Sequence, residues 1–146
     1  MTDAEVAEAL AEGKKAQVAT LGRDGWPHVT TLWYVMRDGL ITFRSFTKSQ
    51  RIVNLRRDPR LTVLVEFGVA YEELRGVMVQ GRARLVDDPD LVVDVYAQVL
   101  GRLAGTAPQR DAAEAHYRRY AHKNTVVQVE PTRVISWDHR KLGGTY

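Results

Sequence analysis

Apolar and polar positions along the chain fall into short blocks with two different periods. Behind Thr2 and Glu5, which have the spacing of a capping box, Val6, Ala9 and Leu10 recur at helical intervals, and Gly13 offers a stop. Residues 16–21 and 29–36 are β-branched, aromatic or apolar and flank Gly22-Arg23-Asp24-Gly25, so they predict a first hairpin. Arg37-Asp38-Gly39 then turns the chain into residues 40–46, the expected third strand of the same meander.

Residues 49–57 predict a short helix that Asp58-Pro59 closes, because the residue before a proline avoids the helical region. Residues 61–67 form a plain buried strand. Residues 74–86 form a long one in which Gly81 marks a bulge. Asp87-Asp88-Pro89 is the start of a helix, with a capping carboxylate ahead of a proline in the first turn. Two helices come next, at 90–103 and 109–121, and then strands at 125–129 and 133–137 on either side of Glu130-Pro131. Six or seven antiparallel strands with few and short helices predict a mainly β, α+β domain. A small closed or partly closed barrel suits them, because closure removes exposed edges.

Length and composition narrow the functional classes. A chain of 146 residues holds one core and is too short for two ordinary domains, so 1–146 is expected to be a single domain. With no cysteine there is no disulfide, thiolate metal site or cysteine nucleophile. The first fifteen residues carry acidic side chains and no apolar run, unlike a signal peptide or a membrane span, so a cytoplasmic location is expected. The four histidines are scattered, and His116 and His122 are six apart, off any common helix face, so no metal site is expected. Glu72-Glu73 and Asp87-Asp88 read as solvated and capping pairs. No glycine-rich nucleotide loop occurs.

Charge adds a place to look. The net charge is +3, and six basic residues, Arg44, Lys48, Arg51, Arg56, Arg57 and Arg60, crowd one stretch opposed only by Asp58. There a strand ends, hydroxyl residues come after it, and a helix starts with Lys48 and Arg51 at its leading edge. Unpaired N–H groups, a partial positive charge and two cations suit a phosphate. The same residues also fit a solvated helix face. A nucleic-acid surface is a third reading, although Trp33 and Phe43 fit core packing better than base stacking.

The run Lys48-Ser49-Gln50-Arg51-Ile52-Val53-Asn54-Leu55-Arg56-Arg57-Asp58-Pro59-Arg60-Leu61-Thr62-Val63-Leu64 resembles the phosphate-binding segment of the pyridoxamine 5′-phosphate oxidase-like superfamily of split β-barrels. Gly25 to Tyr34 resembles its second-strand motif, and Leu74 to Ala83 its later long strand. Gly76 departs from the Arg-Gln-Val pattern of the oxidases themselves, and the chain is shorter than theirs. Oxidation of a vitamin B6 phosphate is therefore not implied. The ending Trp137-Asp138-His139-Arg140-Lys141-Leu142-Gly143-Gly144 is closer to the actinobacterial branch that uses the deazaflavin coenzyme F420.

This resemblance implies a homodimeric, FMN-binding-type split barrel. It implies a reductase that passes a hydride from coenzyme F420 to an unsaturated small molecule, with FMN as the alternative cofactor and a non-catalytic carrier as the alternative role. Thr30, Thr31 and Leu32 would lie along the ring system; Arg44, Ser45 and Phe46 would flank the ribityl chain; Lys48, Ser49, Arg51 and Asn54 would hold the phosphate. Trp137 and Lys141 of a second subunit would close the pocket. No acid–base residue stands out, as expected where the cofactor carries the chemistry. The abundance of arginine favours the more anionic deazaflavin. Neither nucleic acid nor membrane is an expected partner.

Overall fold

The computed structural model describes residues 1–143. Helix α1 (Asp3–Glu12) carries the expected capping box between Thr2 and Glu5. β1 (Lys15–Leu21) and β2 (Pro27–Trp33) pair antiparallel along their full length, as the hairpin signal predicts. Beyond β2 the chain departs from the predicted meander. The stretch 29–36 is two strands, β2 and β3 (Val35–Arg37), and β4 (Leu40–Phe46) pairs with β3, never with β2. Asp38 and Gly39 both have positive φ, which a two-residue turn between β3 and β4 needs and which Gly39 supplies without strain.

The sheet order is β2-β1-β5-β6-β7-β4-β3, with β5 at Arg60–Phe67, β6 at Arg75–Val86 and β7 at Asn124–Asp138. β2 and β3 therefore lie at opposite edges of a seven-stranded sheet, although only Tyr34 separates them in the chain. One residue cannot span a flat sheet of that width, where neighbouring strands lie about 4.8 Å apart. The sheet must curl until its edges approach. Tyr34 is the corner: it is 1% exposed, and its hydroxyl donates to the carbonyl of Leu10 at 2.6 Å. Burial pushes its phenol up to about 12. The result is a mainly β split barrel with a seam between β2 and β4.

The predicted strands 125–129 and 133–137 are one strand, β7, because Glu130 and Pro131 stay in register with β6 across an irregularity at Gln80/Gly81. The bulge expected at Gly81 is there, but its extra residue is Thr132 on β7, opposite the Gln80–Gly81 step. The carbonyl of Glu130 comes so close that a side chain at residue 81 would collide with it. The short helix α2 (Gln50–Arg57) packs on β1 and β4, across the seam. Val18, Phe43, Ile52, Leu55, Val63, Val77 and Val127 fill the barrel. A second layer forms where α3 (Pro89–Ala104) and α4 (Arg110–Ala121) cover the outer side of β3, β4 and β7, around Val92, Val95, Ala113 and Val126. Among the described residues no helix is long and apolar enough to cross a membrane.

Tyr34→Phe should leave the fold intact and cost about 1–2 kcal/mol, read as a lower urea midpoint at unchanged slope, because one buried hydrogen bond is lost. An unchanged midpoint would mean that the corner is held by packing alone.

Candidate functional site

The alternation of β4 decides which of its residues can meet α2. Ile41, Phe43 and Ser45 point into the barrel, whereas Arg44 and Phe46 point to the other side. Ser45 is 6% exposed and sits where the seam opens beneath the start of α2. Ser49 caps that helix, and the Ser45 and Ser49 hydroxyls lie 3.0 Å apart. The first turn of α2 contains no acidic residue, so its positive end is not neutralised locally.

Arg51 is the centre of this arrangement. Its Nη1 donates to Ser45 Oγ at 2.7 Å, and its Nε donates to Thr30 Oγ1 at 3.1 Å, with Nη2 on the same oxygen. One guanidinium thus joins β2 to β4 across the seam. Burial lowers its pKa from the usual value. Among the described residues it makes no ion pair. A half-buried cation that meets only neutral hydroxyls has lost water without gaining a counter-charge, which is costly unless an anion completes it. The donor set, with a fork-shaped guanidinium, three hydroxyls and a helix start, fits a phosphate dianion.

The structure brings Thr30, Ser45, Ser49 and Arg51 together. Lys48 stands beside them in the 46–49 turn, exposed and without a hydrogen bond or ion pair among the described residues. Leu32 faces the barrel on the same side as Thr30, while Thr31 points outward. Asn54 is fully buried and already engaged: Nδ2 donates to Thr20 Oγ1 at 3.0 Å, and Oδ1 accepts from Gln50 Nε2 at 2.8 Å. It ties α2 to β1 from inside.

The other sequence-derived candidates lie elsewhere. Arg44 packs its guanidinium over the rings of Tyr117 (4.1 Å) and Tyr96 (4.7 Å) and donates to Asn124 Oδ1 at 3.2 Å and to the Tyr117 hydroxyl. Burial lowers its pKa too. Trp137 stands at the opposite end of β7 from Thr125, the residue paired with Ser45, and its ring fills the space above Gly76. Lys141 donates to both carboxylate oxygens of Glu5 at 2.7 Å. That contact, with a hydrogen bond from the Thr2 backbone, lowers the Glu5 carboxyl to about 2. Within one chain, neither Trp137 nor Lys141 reaches the Arg51 cluster. Gly144, the last residue of the C-terminal resemblance, lies outside the described residues.

The basic stretch itself is largely spoken for. Arg56 pairs with Asp87 at 3.0 Å, Arg60 with Asp58 at 2.7 Å, and Arg57 donates to the carbonyl of Leu21. With Arg44 stacked on tyrosines, only Lys48 and Arg51 of the six cations remain for a ligand. The count of arginines therefore carries no argument for a more anionic cofactor.

The sequence model of the pyridoxamine 5′-phosphate oxidase family matches residues 2–138. This chain belongs to that family. Among solved structures, a conserved hypothetical protein of Mycobacterium tuberculosis is 38% identical, with a TM-score of 0.89 over 100% of this chain and 90% of that one. A protein described as an F420 reductase is 24% identical, with a TM-score of 0.67 over 88% of this chain and 94% of that one. An FAD-binding protein of Mesorhizobium loti is 21% identical, with a TM-score of 0.64 and 93% of each chain covered. These last two likenesses speak for the fold. No curated protein matches the sequence.

Asn54→Ala should cost about 2–3 kcal/mol in chemical denaturation, because it leaves a cavity under α2 and strands the buried Thr20 hydroxyl. A loss under about 0.5 kcal/mol would show that the buried amide does not hold α2 in place.

Proposed function

We propose that this member of the pyridoxamine 5′-phosphate oxidase family is a cytoplasmic, homodimeric reductase that binds coenzyme F420 and reduces an unsaturated small molecule. The observation that carries the reading is the unpaired, half-buried Arg51 guanidinium among the hydroxyls of Thr30, Ser45 and Ser49. A phosphate there would be held by Arg51 and Lys48 and by hydroxyl and backbone donors at the start of α2. Bound deazaflavin supplies the hydride.

The protein's part is to bind, orient and exclude. Arg51 would neutralise the phosphate and, through Thr30 and Ser45, tie it to β2 and β4. Thr30 and Leu32 line the inner side of β2, from which a ring system would extend toward the outward-facing Thr31. That outward side supports the second subunit. Across β2, β1, β5, β6 and β7, Thr31, Gln17, Leu64, Met78 and Ile135 form one lateral row. α3 and α4 cover the other end of the sheet. Nearby, Val29 and Trp33 are 57% and 49% exposed. A second copy on this face would bury that apolar surface, and through such a copy Trp137 and Lys141 would reach a pocket that they cannot reach in their own chain.

Titration of the purified protein with coenzyme F420 and, separately, with FMN tests the assignment. Coenzyme F420 should bind in the micromolar range or tighter, and Arg51→Ala should weaken it about 30-fold or more, the loss of a charge-assisted contact of about 2 kcal/mol or above. Sedimentation of the same samples should give a dimer. Equal binding by wild type and variant removes the phosphate assignment, FMN binding alone replaces the deazaflavin, and a monomer removes the shared pocket.

A further inference from the structure

The barrel has a second mouth, at the other end of β4 from Ser45. Val6 and Leu10 of α1, Met36 of β3, Ile41 of β4, Val79 of β6 and Val134 of β7 enclose an open cavity of about 390 Å³ there. Ile41 and Val79 belong to the core, so the floor of the cavity is the barrel interior itself. Val134 pairs with Val79 on the inward side of the sheet, yet it is 47% exposed, because β4 covers β7 only from Asn124 to Gln128.

α1 roofs this cavity without filling it. The C-terminal end of the helix is fixed by the Tyr34 hydroxyl on the Leu10 carbonyl and by Arg102 Nη2 donating to the Ala11 carbonyl at 2.8 Å, and its first turn by Lys141 on Glu5. The opening is therefore built into the fold. It is also separate from the Arg51 cluster: Ile41, Phe43 and Ser45 all face inward along β4, and fully buried Phe43 stands between two mouths about 13 Å apart along the strand. The face proposed above for a second copy is the opposite side of the sheet, that of Met78 and Ile135, so a partner there leaves the cavity open.

The lining sets the chemistry of an occupant. Apart from Gly39 and Asp3, every lining residue is apolar, and no hydroxyl, amide or cationic side chain is among them. Asp3 is exposed and makes no hydrogen bond or ion pair through its carboxylate among the described residues. Arg37, next to Met36, is committed to Asp94. An apolar body gains by leaving water here, whereas a carboxylate beside Asp3 would meet a like charge with nothing to offset it. We propose that the cavity binds the alkyl portion of a small amphiphile whose cationic head, such as an amine, lies at Asp3. This site does not depend on the phosphate reading of Arg51.

The test titrates the intact protein with decylamine and with decanoate, each below its micelle concentration, and follows methyl resonances by NMR on wild type, Ala7→Phe, Asp3→Asn and Arg51→Ala. Decylamine should shift the methyls of Ile41, Val79 and Val134 and leave that of Thr30 unmoved. It should bind about five- to tenfold more tightly than decanoate at low salt, although the net charge of +3 would favour the acid at an unspecific surface. Ala7 is an exposed helix position that lines the mouth, so Ala7→Phe should keep the fold, which circular dichroism checks, and weaken both ligands about tenfold. Asp3→Asn should remove the preference for the amine while the same methyls still shift, and Arg51→Ala should change nothing. Shifts scattered over the surface, decanoate binding as tightly as decylamine, or a folded Ala7→Phe that binds like wild type would each overturn the proposal. Shifts that track protein concentration instead of ligand would make the groove a contact between copies and overturn it too.

Discussion

The seam between β2 and β4 governs both the fold and the site. Chain continuity at Tyr34 brings the two edges of the sheet together, but no strand pairing joins them. α2 lies across the gap, and Arg51 holds β2 to β4 through Thr30 and Ser45. A residue placed to bridge a seam by hydrogen bonds alone need not be charged. The charge costs desolvation that two neutral hydroxyls repay poorly, and a bound phosphate would offset it. Closure and the proposed phosphate binding therefore meet in one side chain.

The period-two alternation of β4 separates two sets of residues that are mixed in sequence. Ser45 goes to the seam, while Arg44 goes to the helical layer, where the Tyr96 and Tyr117 rings and Asn124 absorb it. The stacked arginine anchors α3 and α4 to the strand without an acidic partner, through cation–π and hydrogen-bond contacts. Asn54 acts similarly for α2, engaging its amide with Thr20 and Gln50. The scaffold around the site is thus held by polar groups that are paired among themselves, which leaves Arg51 and Lys48 without a counter-charge.

Much of this was legible in the sequence. Turn residues at Asp38-Gly39, the cap at Asp88 and the bulge at Gly81 each state a local backbone requirement, and each lies where expected. The resemblance gave Ser49 and Arg51 to a phosphate, Ser45 to the ribityl chain and Thr30 to the ring, and these four side chains converge. The corner at Tyr34 was not legible. An apolar run from 29 to 36 has no breaker, and the break is set by a hydroxyl reaching Leu10, a long-range contact without a local signal. The fate of the basic residues was equally hidden, since Asp87, Tyr117 and Asn124 are distant in sequence.

The central claim is that Arg51 is a cation held open for the phosphate of a redox cofactor. A crystal structure of the protein grown with coenzyme F420 tests it most directly. The phosphate should sit against Arg51 and the Ser49 end of α2, with density for the ring at a two-chain interface. A bound ring with its phosphate elsewhere, and Arg51 still bonded only to Thr30 and Ser45, would contradict it.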